Sequence, residues 1–263
     1  MSAVSKAVRY LLITRPRQEN LDRKTVFNLI GRHGRTSILL HYASVIQDHE
    51  RIVRHWVQEE GWEQAIEALN RQSSLALYYR FAAVLMRNCP QATVDSWTRQ
   101  PALQPRRLIP AMLQHKPSSD GTNQAVRYLR HVIDVQDNTD AAVHNLLLTL
   151  LARGAPHEPR EKGDAALLTF IADSRPNPRT GAPCYDLDYA LRTCSANGRQ
   201  EACIRIYAKM GLYESAVDMA LHGGDIELAC ICADMAEGNT SLRRKLWLKG
   251  ARHVVETKKD IRA

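Results

Sequence analysis

Apolar residues return at intervals of three and four along almost the whole chain, and runs that alternate polar with β-branched residues are absent. Period 3.6 means helices, and alternation would have meant strands. The clearest stretch is 198–248, which reads as several short helices, each opened by a glycine-containing turn. Three openings recur there: GRQEACI, GLYESAV and GGDIELAC, which bring Ala202, Ala216 and Ala229 to equivalent places. A helix and a turn fill that spacing, and an Ala at that place lets two helices approach to ~8–10 Å between axes. The same opening occurs at Gly61, with Ala65, and without the glycine before Ala125. Helices of this kind bury their apolar faces only against neighbours.

Taken in order, 2–13 reads as a first helix and Asp22 as the cap of a second, carrying Val26, Leu29 and Ile30. Thr36 and Asp48 are caps for helices over 38–47 and 50–60. Further helices are expected at 75–87, 93–99 and 106–115, with Cys89-Pro90 as a stop, Trp97 beginning a Pro-rich turn, and KPSSDGT at 116–122 as a loop. A strongly apolar helix follows over 138–153. The stretch 154–183 is rich in Gly and Pro, holds one short helix at 164–172, and is the place where the chain would divide, into 1–153 and 184–263. Asp186 starts the next helix. The fold expected for 1–263 is all-α, an α-solenoid of roughly sixteen short antiparallel helices.

Composition adds little to the fold and something to the surface. Charged residues make up 24% and hydrophobic residues 44%, ordinary for a folded chain, while the net charge of +8 invites an acidic partner, an anionic membrane or nucleic acid. The plain explanation is that solvated helix faces carry Arg. The six cysteines include no CxxC pair and no zinc-ligand spacing with His. They read as reduced thiols in helix contacts, Cys203 and Cys230 beside repeat alanines. No apolar stretch reaches the ~20 residues of a spanning helix.

Catalytic motifs are missing from the pattern: no phosphate-binding loop, no nucleophile elbow and no dinucleotide fingerprint. His49-Glu50 begins a zincin-like pattern that Val53 breaks. Asp186 and Asp188 at a helix start fit capping and the helix dipole. Trp56, Trp62 and Trp247 fall at core-like positions. No cofactor or metal site is expected. The sharpest surface feature is a basic stripe, Lys245, Lys249, Arg252 and Lys259, with Trp247, Ala251, Val254 and Ile261 on roughly the opposite face. Such a stripe suits a solvated face, an acidic partner or an anionic lipid. Nucleic acid fits less well, because no aromatic residues interleave with the cations.

The run LRRKLWLKGARHVVETKKDI at 242–261 resembles the end of the clathrin-heavy-chain repeat in the deep-orange family, the RING-ended class C vacuolar protein sorting subunit of the HOPS and CORVET tethering complexes. In the same order, HYASVIQDHERIVRHW at 41–56, LYYRFAAVLMRNCPQATVDSW at 77–97, RRLIPAML at 106–113, AVHNLLLTLLARG at 142–154, YDLDYALRTC at 185–194 and IYAKMGLYESAVDMAL at 206–221 resemble that family too. The resemblance lapses over 155–184 and is thin in the first twenty residues.

The resemblance implies a scaffold segment of a tether, not an enzyme, taken from a longer protein with a β-propeller before it and a RING-type zinc module after it. Partners implied are other class C vacuolar sorting subunits, with Rab GTPases and SNAREs reached indirectly. The implied location is cytoplasmic and peripheral on late endosome, lysosome or vacuole membranes. Two rival readings follow from the residues alone: a nucleic-acid-binding helical repeat, from the charge, and a helical enzyme whose pocket leaves no motif.

Overall fold

A computed structural model describes residues 36–115, 123–154, 160–173 and 176–260, together with Thr25, Phe27, Asn28 and Ile30. The expected helix at 2–13, the cap at Asp22 and the loop at 116–122 lie outside the described residues. Among the described residues the chain is all-α, its only strand-like pairing an isolated bridge between Pro176 and Pro183. It forms two compact units, Met1–Leu103 and Gln104–Ala263.

The first unit holds α1 (Thr36–Val45), α2 (His49–Gln58), α3 (Trp62–Asn70), α4 (Leu75–Asn88) and α5 (Pro90–Thr98). Each helix packs on the next, and α3 also meets α5. Asp48 caps α2 as expected, its carboxylate accepting from the Arg51 amide at 3.2 Å. α4 ends at Cys89-Pro90 as expected, and Pro90 also starts the next helix. At the first position of α5 its missing N–H costs nothing and its fixed φ suits the helix. That start carries Trp97 into α5, where it is 2% exposed and fills the core instead of beginning a turn. Beside it, Tyr78 and Ser96 both donate to the Asn70 side-chain oxygen, at 3.2 and 2.5 Å. At the other end of the unit, Phe27 and Ile30 bury against Tyr42 and Ala43, and the Arg51 guanidinium lies 3.7 Å over the Phe27 ring.

The second unit holds α6 (Pro105–Gln114), α7 (Gln124–Asp134), α8 (Ala141–Arg153), α9 (Arg160–Asp173), α10 (Leu187–Ala196), α11 (Gln200–Lys209), α12 (Tyr213–His222), α13 (Ile226–Asp234) and α14 (Thr240–Asp260). From α6 onward each helix packs on its neighbour or on the helix after that, the nearest-neighbour order of a solenoid. The Gly/Pro-rich stretch lies inside this unit, and α8 and α10 on either side of it pack on one another. Within it, α9 is longer than the sequence pattern suggests. The helix expected from residue 138 begins at Ala141 instead. Asn138 and Asp140 are spent as turn and cap, accepting from the Asp140 and Ala142 amides at 2.9 Å each.

The repeat alanines sit where the spacing puts them. Ala65, Ala125, Ala202, Ala216 and Ala229 are all buried. The core around α11–α14 is built largely from Ala208, Ala216, Ala220, Ala229, Ala233 and Cys232, closed by Leu221, Leu228 and Leu246. Small side chains let these short helices approach closely.

Gly61 opens α3 as its N-cap. The glycines of the later turns instead close the preceding helices. Gly198, Gly211 and Gly224 take φ of 67°, 75° and 77°, the left-handed region that favours glycine. Each turn is sealed by two backbone bonds. After α10, the Arg199 amide donates to the Cys194 carbonyl at 2.9 Å and the Gly198 amide to Ser195 at 3.0 Å. After α11, Leu212 donates to Tyr207 and Gly211 to Ala208; after α12, Asp225 donates to Ala220 and Gly224 to Leu221, all at 3.0 Å.

Candidate functional site

α14 ends the run of short helices with a longer one. Its inward direction is set by α12 and α13, on which it packs. Leu246 meets that core at 1% exposure, with Leu242 packed beside it. The face differs from the one expected: Trp247 is 44% exposed and Ala251 is exposed, so the buried line runs one residue earlier. An indole is large and has one polar end. Trp247 accordingly lies at the edge of the contact, donating its Nε1–H to Asp234 at 3.1 Å. Arg243 donates to the same carboxylate oxygen at 3.0 and 2.5 Å. These two donors, Trp247 first, hold the Asp234 carboxyl below its usual range.

The basic stripe divides between inside and outside. Lys245 reaches Glu214 on α12 at 2.8 Å, and Lys249 pairs with Asp218 one turn further along α12. The Glu214 carboxylate pushes the Lys245 ammonium up. Both pairs are exposed and screened by solvent, so their effect is mainly to fix the register of α14 on α12. Arg252 is exposed, and neither it nor Arg244 has an ion pair among the described residues. Lys259 lies on the helix, but its side chain is outside the described residues. Around these arginines are exposed apolar side chains, Leu248 at 56% and Val255 at 53%. The helix thus presents arginine and large apolar groups outward together. A purely basic stripe is not what it offers.

A second cluster left no mark in the sequence pattern. Arg199 follows the left-handed Gly198 and its side chain is 7% exposed. Its Nε–H donates to the Ala152 carbonyl at the end of α8, at 2.8 Å, and its Nη1 pairs with Asp164 on α9 at 2.6 Å. It therefore ties three helices, and places its cation at the negative end of α8. Gly154, φ 68°, leaves room for it: a Cβ there would stand 2.8 Å from Nη2. Lys209 does similar work for α9, donating to the Ile171 carbonyl, and desolvation lowers its pKa although the nearby Asp173 opposes that.

The remaining sequence candidates are structural. Glu50 pairs with Arg54 and with Arg80, the latter at 2.7 Å, and Val53 is fully buried. Asp186 caps α10 through the Tyr189 amide at 2.8 Å. The described cysteines form no disulfide. Burial pushes the Cys194 thiol up to about 12, which suppresses the thiolate needed for reactivity. On α13 the buried thiol is Cys232, and Cys230 is only half-buried. No group of three metal-ligating side chains occurs among the described residues, and none of their helices is long and apolar enough to cross a membrane.

These features define a class: a segment of an α-solenoid, closed by backbone caps and ion-paired helix contacts. Residues 49–255 match the family model described as VPS18, alpha-solenoid domain, second half, and the chain belongs to the VPS18 family. The match runs through 155–184, where short motifs gave no resemblance. The chain is 36% identical over 244 residues to the vacuolar protein sorting-associated protein 18 homolog of Danio rerio, covering 92% of this chain and 24% of that protein. It is 35% identical to vacuolar sorting protein 18 of Arabidopsis thaliana, covering 92% and 24%. It is 30% identical to vacuolar membrane protein pep3 of Schizosaccharomyces pombe, covering 93% and 26%. The chain spans about a quarter of the length of these relatives.

Proposed function

We propose that this chain is a scaffold segment of a multisubunit membrane-tethering complex of the HOPS/CORVET kind, acting through protein–protein contacts in traffic to the lysosome or vacuole. The observation that carries the reading is the unbroken family match over 49–255, on a chain whose helices pack nearest neighbour on nearest neighbour. Such a stack holds its binding surfaces at fixed spacing and needs no chemistry of its own. The partners are other class C vacuolar sorting subunits. Rab GTPases, SNAREs and the membranes of late endosome, lysosome or vacuole are reached through the complex.

Within it, the outer face of α14 is the contact surface we assign. Arginine is enriched at interfaces, and exposed apolar side chains beside it give a partner surface to bury. Arg244, Leu248, Arg252 and Val255 supply it, while Lys245 and Lys249 hold the helix in place. Affinity capture with the tagged chain is expected to recover class C sorting subunits, and the pair Leu248→Asp with Val255→Asp to lose them while the circular dichroism stays helical. Recovery of no sorting subunit by the parent chain would overturn the scaffold reading. Undiminished recovery by the double variant would overturn only the assignment to α14.

A further inference from the structure

A cavity of about 470 Å³ opens between the end of α7, the middle of α8, the end of α9 and the 176–184 turn. Ligand pockets have this size, ~300–1,000 Å³. Its apolar surface comes from Leu147, Phe170, Pro176 and Pro178. Its charged surface comes from Asp134, Asp137 and Asp173, against one guanidinium, Arg130. On a chain of net charge +8 this local excess of carboxylate runs against the whole. The turn wall is held by its own bonds, the Asn177 amide donating to Ala182 at 2.7 Å and the Gly181 amide to Asn177 at 2.8 Å.

His144, also in the lining, adds a second and independent observation. Its ring is 3% exposed and lies 6.1 Å from the Phe170 ring. Its Nε2 is 2.8 Å from the Asn138 carbonyl oxygen. A carbonyl only accepts, so Nε2 carries the proton and donates. In the neutral ring Nδ1 is then an acceptor, and among the described residues no donor reaches it. Buried polar atoms are nearly always paired, so an orphan acceptor in a cavity wall marks where a donor belongs.

Carboxylates and an imidazole acceptor ask for one guest chemistry: positive, rich in N–H donors and without acceptors. A guanidinium has five N–H donors and no acceptor. We propose that this cavity binds a peptide segment of a partner protein that carries an arginine next to a bulky apolar residue, with the guanidinium toward Asp134, Asp173 and His144 and the apolar group against Phe170 and the prolines. The inference goes beyond the scaffold reading, which requires only helix faces, and the two fail separately.

The probe is a fluorescein-labelled Gly-Arg-Phe-Gly peptide, with Glu in place of Arg as its control, titrated into the 263-residue chain by anisotropy at low salt. The arginine peptide is expected to bind at least about tenfold more tightly than the control, and Asp134→Asn with Asp173→Asn to weaken it by about tenfold. Both aspartates are exposed, so the double variant keeps the fold, which circular dichroism checks. The His144 Nδ1 resonance in long-range proton–nitrogen spectra should move with the arginine peptide and not with the control. Equal binding of the two peptides, indifference to the double variant, an unmoved Nδ1, or displacement of the peptide by anionic vesicles would each overturn the proposal.

Discussion

The run from α1 to α3 and the run from α10 to α13 close their turns with the same bonds but with different residues. In the second run the left-handed position belongs to Gly198, Gly211 and Gly224. In the first it belongs to Gln47 and Glu60, at φ 58° and 56°. There the Asp48 amide still donates to Ala43 at 2.8 Å and the Gly61 amide to Trp56 at 2.8 Å. The shared element is thus the hydrogen-bonded cap, and glycine is one way of occupying it. A side chain in that region costs ~1–2 kcal/mol, partly offset by the ~0.5–1 kcal/mol of entropy that a glycine loses on folding. Gly61 itself has an ordinary φ and is needed for a different reason: a Cβ there would meet Trp56 Cε3 at 2.9 Å and Gln64 Oε1 at 3.0 Å.

The largest test of the likeness is the alanine place. Ala65→Leu and Ala216→Leu put the same bulk at two fully buried sites, and each should lower stability by ~2–3 kcal/mol in urea titrations. A cost confined to Ala216 would show that the first run is packed more loosely. Next is a difference between the runs. The residue after the left-handed position only has to be small at Gly61 but is a clamp at Arg199. Arg199→Met should cost ~2 kcal/mol and speed amide exchange at the end of α8, where Ala152 loses its donor. Smaller are the cap residues themselves. Gly211→Ala and Gly224→Ala, with open space around them, should each destabilise by ~1 kcal/mol from backbone strain alone, while Glu60→Gly should stabilise by ~0.5–1 kcal/mol. Loss of stability on Glu60→Gly would break the equivalence of the caps.

The smallest effect is a pH dependence at the end of the second run. The folded carboxyl of Asp234 is depressed, so its contribution is complete above the usual carboxylate range and is lost as pH falls through the folded value. Asp234→Asn should therefore lower the melting temperature slightly at neutral pH and leave the variant less sensitive to acid than the parent.

Much of this was legible because helix caps and helix spacing are local. Asp48 and Asp186 announced two helix starts, and the alanine spacing announced the packing places. What misled were residues with two local meanings. Pro90 can follow one helix and begin the next, and it does both here. Asn138 can be helical or hold a turn. Glycine before a helix can open it or close the one before, and only φ tells which. The rest was tertiary. The period of α14 fixes which residues share a face, but α12 and α13 decide that Leu246 goes in and Trp247 goes to the edge. No short motif marks Arg199, whose partners come from α8 and α9, or His144, whose partner is the Asn138 carbonyl.

The backbone caps have one further consequence, for behaviour under load. Each cap bond between α10 and α13 closes within a few residues, and each of those helices leans chiefly on its neighbours. Nothing in that run is pinned by strand pairing to a distant part of the chain. Pulled from its ends in an optical trap, such a run should pay out in short steps, a helix or a helix pair at a time, and re-form quickly when released. A segment built this way absorbs extension gradually, where a domain with one central core would hold and then give way all at once.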